Sequence, residues 1–241
     1  MNIMTDIDVL LEVDYHKSYG MQTEYDRFWD AYQENGNRTN YKYAFAGPAW
    51  SKETFKPKYD LVPVAGNNMF YSSNIGGDFV ELLDNLGIKL DLSKVTGLSA
   101  TFGYSYFTHL GIIDTSSSTT CYQMFVGCPY LVTIDKLILR TDGIQSFSNC
   151  FSECKSLENI IFEGVIGQNT FSMQWCTKLS KKSIISAINA LSTKTTGYAA
   201  PFSLVAVNTA FETSEGAADG SSSEEWETLV ATKPNWIISL I

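Results

Sequence analysis

At 241 residues and 44% hydrophobic content, the chain is long enough to bury a sizeable core in one or two domains. Its formal net charge of −9 excludes the clustered-cation chemistry of non-specific nucleic-acid binding; Lys181-Lys182 is the only adjacent basic pair in the C-terminal half. The opening residues lack a basic stretch followed by a long apolar core, and no run approaches the ~20 apolar residues that span a bilayer, so neither a signal peptide nor membrane insertion is expected.

The first element in chain order is a helix around 25–32. Thr23 followed by Asp26 resembles a capping arrangement, Tyr25, Phe28, Trp29 and Tyr32 recur at i, i+3, i+4, i+7, and Asn35-Gly36 is a fitting stop. This aromatic stripe either covers the open end of the elements that follow or docks a partner subunit. Pro48, Pro57 and Pro63 then favour extended or looped chain, which completes an N-terminal region over 1–64.

A repeat occupies 65–180. The segment Phe125-Val-Gly-Cys128-Pro-Tyr-Leu131-Val-Thr-Ile134 returns as Phe151-Ser-Glu-Cys154-Lys-Ser-Leu157-Glu-Asn-Ile160 with nothing inserted. Phe171, Cys176 and Leu179 keep the pattern with two added residues. Phe102, Ser105, Phe107, Leu110 and Ile112 keep it loosely, with Ser105 in the cysteine position, and Met69-Phe70 with Ile75 more weakly still. A period of roughly twenty to thirty residues is the mark of stacked coils, each a strand and a return. The aliphatic and β-branched runs at Leu131 to Leu139 and Leu157 to Phe162 supply the strands.

The F-x-x-C-x-x-L-x-x-I pattern resembles the BspA-like class of bacterial leucine-rich repeats, over roughly 69–180. The flanks, including Tyr25-Asp-Arg-Phe-Trp-Asp30, Tyr43-Ala-Phe-Ala-Gly47 and Phe55-Lys-Pro-Lys-Tyr-Asp60, are similar to proteins encoded by gut bacteria and their phages or prophages. The expected fold class is therefore α/β: a short leucine-rich-repeat solenoid of about four coils, with an N-terminal helical region and a C-terminal α/β cap. The resemblance implies binding or assembly and supplies no catalytic residues.

The C-terminal region, 181–241, abandons the repeat. Ser180 is a plausible N-cap for a helix from Lys181 to about Leu191, with Ile184, Ile185, Ile188 and Leu191 on one face. A strand near Ala199 to Ser203, a helical segment from Val205 to Phe211 and a small-residue loop from Gly216 to Ser223 follow. Ser222 and Glu225 form a capping box for a last helix bearing Trp226, Leu229 and Val230. Pro234 ends that helix, and Trp236 to Ile241 reads as a strand.

Chemistry is sparse. Cys150-x-x-x-Cys154 falls within loose zinc spacing, but Cys128, Cys154 and Cys176 share one repeat position, which favours a ladder of buried structural thiols over a metal site or, given five cysteines, a disulfide framework. Asn74-Ile-Gly76-Gly77-Asp78 lacks a phosphate-loop lysine and reads as a turn between coils. His109 has no nucleophile at a diagnostic spacing, and no G-x-S-x-G elbow is present. No cofactor is expected. Tyr71, Tyr104, Tyr106, Tyr122 and Tyr130, with the hydroxyl run Thr115 to Thr120, have the composition of an adaptable binding surface; Tyr104, Tyr106, Tyr122 and Tyr130 are the candidate contact residues, for a protein or a cell-surface glycan. The leading expectation is a non-enzymatic virion-associated protein, on a phage tail or capsid, that recognises host surface or another virion subunit. The runner-up is a bacterial leucine-rich-repeat adhesion protein, cytoplasmic or at the cell surface, and behind it stands an enzyme with a loop-assembled site. Nothing indicates the oligomeric state.

Overall fold

The computed structural model describes residues 41–42, 44–57, 59–168, 170–193, 198–211 and 223–241. The aromatic stripe Tyr25, Phe28, Trp29 and Tyr32 lies outside the described residues. The fold is mixed α/β. In chain order, β1 (Gly77–Asp78), α1 (Phe79–Leu86), β2 (Phe107–Asp114), β3 (Thr133–Ile138) and β4 (Asn159–Glu163) precede α2 (Lys181–Ala190), β5 (Tyr198–Phe202), α3 (Leu204–Phe211), α4 (Glu224–Ala231) and β6 (Trp236–Leu240). Strands β1 to β4 form one parallel sheet in sequence order, and β5 and β6 form a parallel pair.

The phenylalanines of the sequence pattern form one column. Phe70 stacks on Phe102 at 5.4 Å between ring centroids, Phe102 on Phe125 at 5.7 Å, and Phe125 on Phe151 at 5.6 Å, all close to parallel. Phe45, read in the sequence only as part of the N-terminal region, extends the column by stacking on Phe70 at 5.3 Å. All five rings are at most 1% exposed. Burying each contributes roughly 1.5–3 kcal/mol, before the added cavity cost that truncation would carry.

The backbone explains why the rings coincide. The amide of each phenylalanine donates to the residue just before the next one: Phe45 to Met69, Phe70 to Thr101, Phe102 to Met124 and Phe125 to Cys150, at 2.7–3.0 Å. Two residues before and two after each ring the chain is left-handed, at Asn68 and Ser72, Ala100 and Tyr104, Gln123 and Gly127, Asn149 and Glu153. The amides at 68, 72, 100, 104, 123 and 127 also donate to the next copy. Left-handed backbone costs about 1–2 kcal/mol for a residue with a Cβ, and here it recurs with the lateral bonds around Phe70, Phe102 and Phe125.

The cysteine position belongs to the same ladder. Cys128 Sγ donates to the Phe102 carbonyl and Cys154 Sγ to the Phe125 carbonyl, each at 3.0 Å, while Ser105 in this position bonds the carbonyl of Phe102 in its own copy. Cys176 Sγ reaches the Phe151 carbonyl at a longer 3.8 Å. In that last copy Phe171 is not the equivalent of the other rings. The Cys176 amide donates to Met173, as Cys128 does to Phe125 and Cys154 to Phe151, so Met173 takes the column position. Phe171 meets Phe151 edge-on.

Three further corrections to the sequence reading concern the strand side. Gly77–Asp78 forms β1, where a turn was expected, and Asp78 N-caps α1 by accepting from the Glu81 amide at 3.0 Å. The inward residue near the end of β2 is Ile113, 4% exposed, while Ile112 faces out at 62%. Two hydroxyls of the Thr115 to Thr120 run are turned into the structure: Thr115 and Ser118 are buried, Thr115 Oγ1 donates to Ile138 and Ser118 Oγ to Thr120, while Thr119 is exposed.

Helix α2 closes the β4 edge. Ser183 Oγ accepts from the Ile160 amide at 2.9 Å and donates to the Glu158 carbonyl, and Ser186 Oγ accepts from the Phe162 amide at 2.8 Å. These hydroxyls supply the partners a fifth strand would have given. The buried face includes Ser183, Ile184, Ala187 and Ile188, with Ile185 only half-buried. The cap of α4 is Ser223 rather than Ser222, its hydroxyl accepting from the Trp226 amide.

The C-terminal strand is anchored at the end of α2. Lys233 Nζ donates to the Asn189 and Leu191 carbonyls, while Asn235 Nδ2 and Trp236 Nε1 both donate to Ser192. Burial holds the Lys233 ammonium below the usual lysine range. Deleting residues 234–241 removes β6, two of these bonds and the buried Trp236, and leaves one edge of β5 bare. We expect an insoluble product. A soluble fragment with a cooperative thermal melt would show that the C-terminal pair is dispensable.

Candidate binding surface

The repeat positions aligned with the column carry the exposed tyrosines. Tyr104, Tyr106 and Tyr130 are 47%, 46% and 53% exposed. Tyr106 and Tyr130 precede β2 and β3 and stack at 5.5 Å, because the parallel register that pairs His109 with Thr133 also brings these two positions level. Tyr104 meets the half-buried Tyr71 edge-on at 5.5 Å. The Tyr104 ring also lies against Gly127, where a Cβ would stand 2.5 Å from ring carbons. Gly127 is left-handed as well, so a side chain there is opposed by both the backbone and the ring. Tyr122 is exposed but sits three residues before Phe125 and makes no ring contact with the other four among the described residues. Among the described residues, no hydroxyl of Tyr104, Tyr106, Tyr122 or Tyr130 has a hydrogen-bond partner.

Beside this edge lies a charged cluster that the sequence did not disclose. His109 on β2 is bound through Nδ1 to Asp78 of β1 at 2.9 Å and through Nε2 to Asp135 of β3 at 3.0 Å. The imidazole thus ties three strands together. With both ring nitrogens held by carboxylates, it has no free nitrogen to offer a substrate as general base. Burial opposes the charge on His109, but the two carboxylates outweigh it and hold the imidazole above its ordinary range. Burial likewise opposes the charge on Asp78, and the His109 bond with the Glu81 amide overcomes it, holding that carboxyl low.

The thiols are placed for packing rather than reactivity. All five are buried. Burial pushes Cys121 up to about 12 and Cys128 to about 11, and raises Cys150, Cys154 and Cys176 as well. Among the described residues no three His, Cys, Asp or Glu side chains converge as a metal site, and no helix is long and apolar enough to cross a membrane. No protein-family model, curated protein or solved structure matches the chain.

Two measurements follow from these environments. A thiol reagent at pH 8 should leave all five cysteines unmodified until denaturant unfolds the protein; rapid labelling of any one in the native state would contradict the buried ladder. The His109 contribution to stability is fully present below the unfolded value of 6.5 and lost as pH rises through the higher folded value. The Asp78 contribution is present above 3.8 and lost as pH falls through the lower folded value. Urea unfolding should therefore show His109→Gln most destabilising between those two values, by about 1 kcal/mol or less because the pair is partly solvent-screened. Parallel pH profiles for the two proteins would remove the cluster as a source of pH dependence.

Proposed function

We propose that the chain is a short leucine-rich-repeat solenoid of the BspA-like class that acts as a non-enzymatic binding or structural protein, with Tyr104, Tyr106 and Tyr130 at the centre of its contact surface. The observation that carries the reading is the stacked, exposed pair Tyr106–Tyr130 beside Tyr104, on a backbone fixed copy by copy. Tyrosine offers a large amphipathic face at low entropic cost, and a rigid scaffold limits what ordering the contact requires. The lateral bonds, the phenylalanine column and the repeated cysteine position support the solenoid, as does the pattern's resemblance to that class. The setting we favour is a phage or prophage virion, on tail or capsid, with a host-surface protein or glycan or a fellow virion subunit as partner. That setting rests on the resemblance of the flanking segments.

Glycan-array and host-cell binding test the surface. The variant carrying Tyr104→Ala, Tyr106→Ala and Tyr130→Ala should melt within a few degrees of the parent and bind at least about tenfold more weakly, since truncating even one aromatic hot spot costs about 2 kcal/mol or more. A folded variant that binds as before would remove this patch from the function.

A further inference from the structure

The sheet is incomplete beside β2. Strand β1 meets β2 only at Gly77 with Phe107 and Asp78 with His109. The chain then leaves the sheet to form α1 and returns at Leu90, which bridges Leu61 and not β2. Among the described residues, Leu110 to Asp114 therefore have no strand on this edge. The Thr115 amide donates to the Ile138 carbonyl of β3, so by strand alternation the backbone groups of Ile112 and Asp114 face the opposite, open side.

A groove of about 400 Å³ lies there, between α1 and the strand. Ile112 is its exposed floor, Val80, Leu83 and Leu90 are its apolar walls, and Asp84 and Asp135 add carboxylates. Asp84 makes no salt bridge among the described residues, and Asp135 has His109 alone. Among the described residues Lys89 is the single cation of the lining, in a chain of net charge −9.

We propose that this groove docks an extended, basic segment of a partner protein, which adds to the sheet as the missing neighbour of β2. Its backbone pairs with Ile112 and Asp114, one aliphatic side chain rests on Ile112, Val80 and Leu83, and its lysine or arginine heads meet Asp84 and Asp135. A strand of four residues spans about 13 Å, matching the bare stretch of β2. The acidic rim and the negative chain favour a cationic segment and oppose an acidic one.

The probe is a fluorescein-labelled hexapeptide of alternating valine and lysine, followed by fluorescence polarisation and by hydrogen exchange. Saturable binding is expected, with slowed exchange at 110–114. The glutamate–valine counterpart should not bind. Ile112→Arg, at an exposed position, should melt like the parent and lose about tenfold or more in affinity, while the triple tyrosine variant should bind the peptide normally. The proposal is overturned by a peptide that does not saturate up to millimolar concentration, by equal binding of the acidic peptide, or by unchanged affinity in Ile112→Arg. Loss of binding in the triple tyrosine variant would assign the peptide to the tyrosine edge. A concentration-dependent dimer abolished by Ile112→Arg would assign the groove to a second copy of this chain. Either result also overturns the proposal.

Discussion

Phe45, Phe70, Phe102 and Phe125 are each held by an amide bond to the carbonyl just before the next phenylalanine of the column, and the rest of the structure depends on that lateral bond. It sets the spacing at which rings stack and fixes the register of the strands that follow. A ring without this bond would still be driven into a core by its apolar area, but that force has no direction. The hydrogen bonds supply the direction. Left-handed residues on either side of Phe70, Phe102, Phe125 and Phe151 are the local cost, and they recur because the turn geometry recurs.

The same regularity makes the interruptions informative. On the β4 side, two serine hydroxyls of α2 take over the bonding that another strand would provide, and the ladder stops cleanly. On the β1 side the chain departs after two residues, and no described strand takes the vacant place beside the end of β2. A closed edge and an open one have different physical consequences. The first ends the sheet without exposed backbone; the second leaves a concave, partly apolar and acidic surface.

Much of the architecture was legible in local patterns. The i, i+3, i+4 spacing around Ile184 and Ile188 foretold α2, Ser180 marked its start, and the alternation of turn residues with apolar runs located β5 and β6. Equivalent positions in the repeat also placed Cys128 and Cys154 together before any geometry was known. Other features were hidden for identifiable reasons. Helix α1 begins at a glycine pair that reads as a turn, and its cap Asp78 is explained only by the helix behind it. Phe45 lacks the cysteine and leucine that flag the other copies. Phe171 has the right residue type at the wrong offset, because two added residues move Met173 into the column.

The sequence by itself determined the repeat, the residues that fill its core and the elements of the C-terminal region, because these follow from periodicity and side-chain type along a short stretch of chain. Tertiary structure alone decided which surface residues meet. Asp78, His109 and Asp135 are far apart in sequence and converge only because three parallel strands lie in register. The same register makes a pair of Tyr106 and Tyr130 and leaves Tyr122 apart. It also turns the Thr115 and Ser118 hydroxyls inward, where a pattern of residue types would have left them at the surface. Contacts between copies depend on alignment across the stack, and that alignment is set by backbone hydrogen bonds which any side chain could accompany.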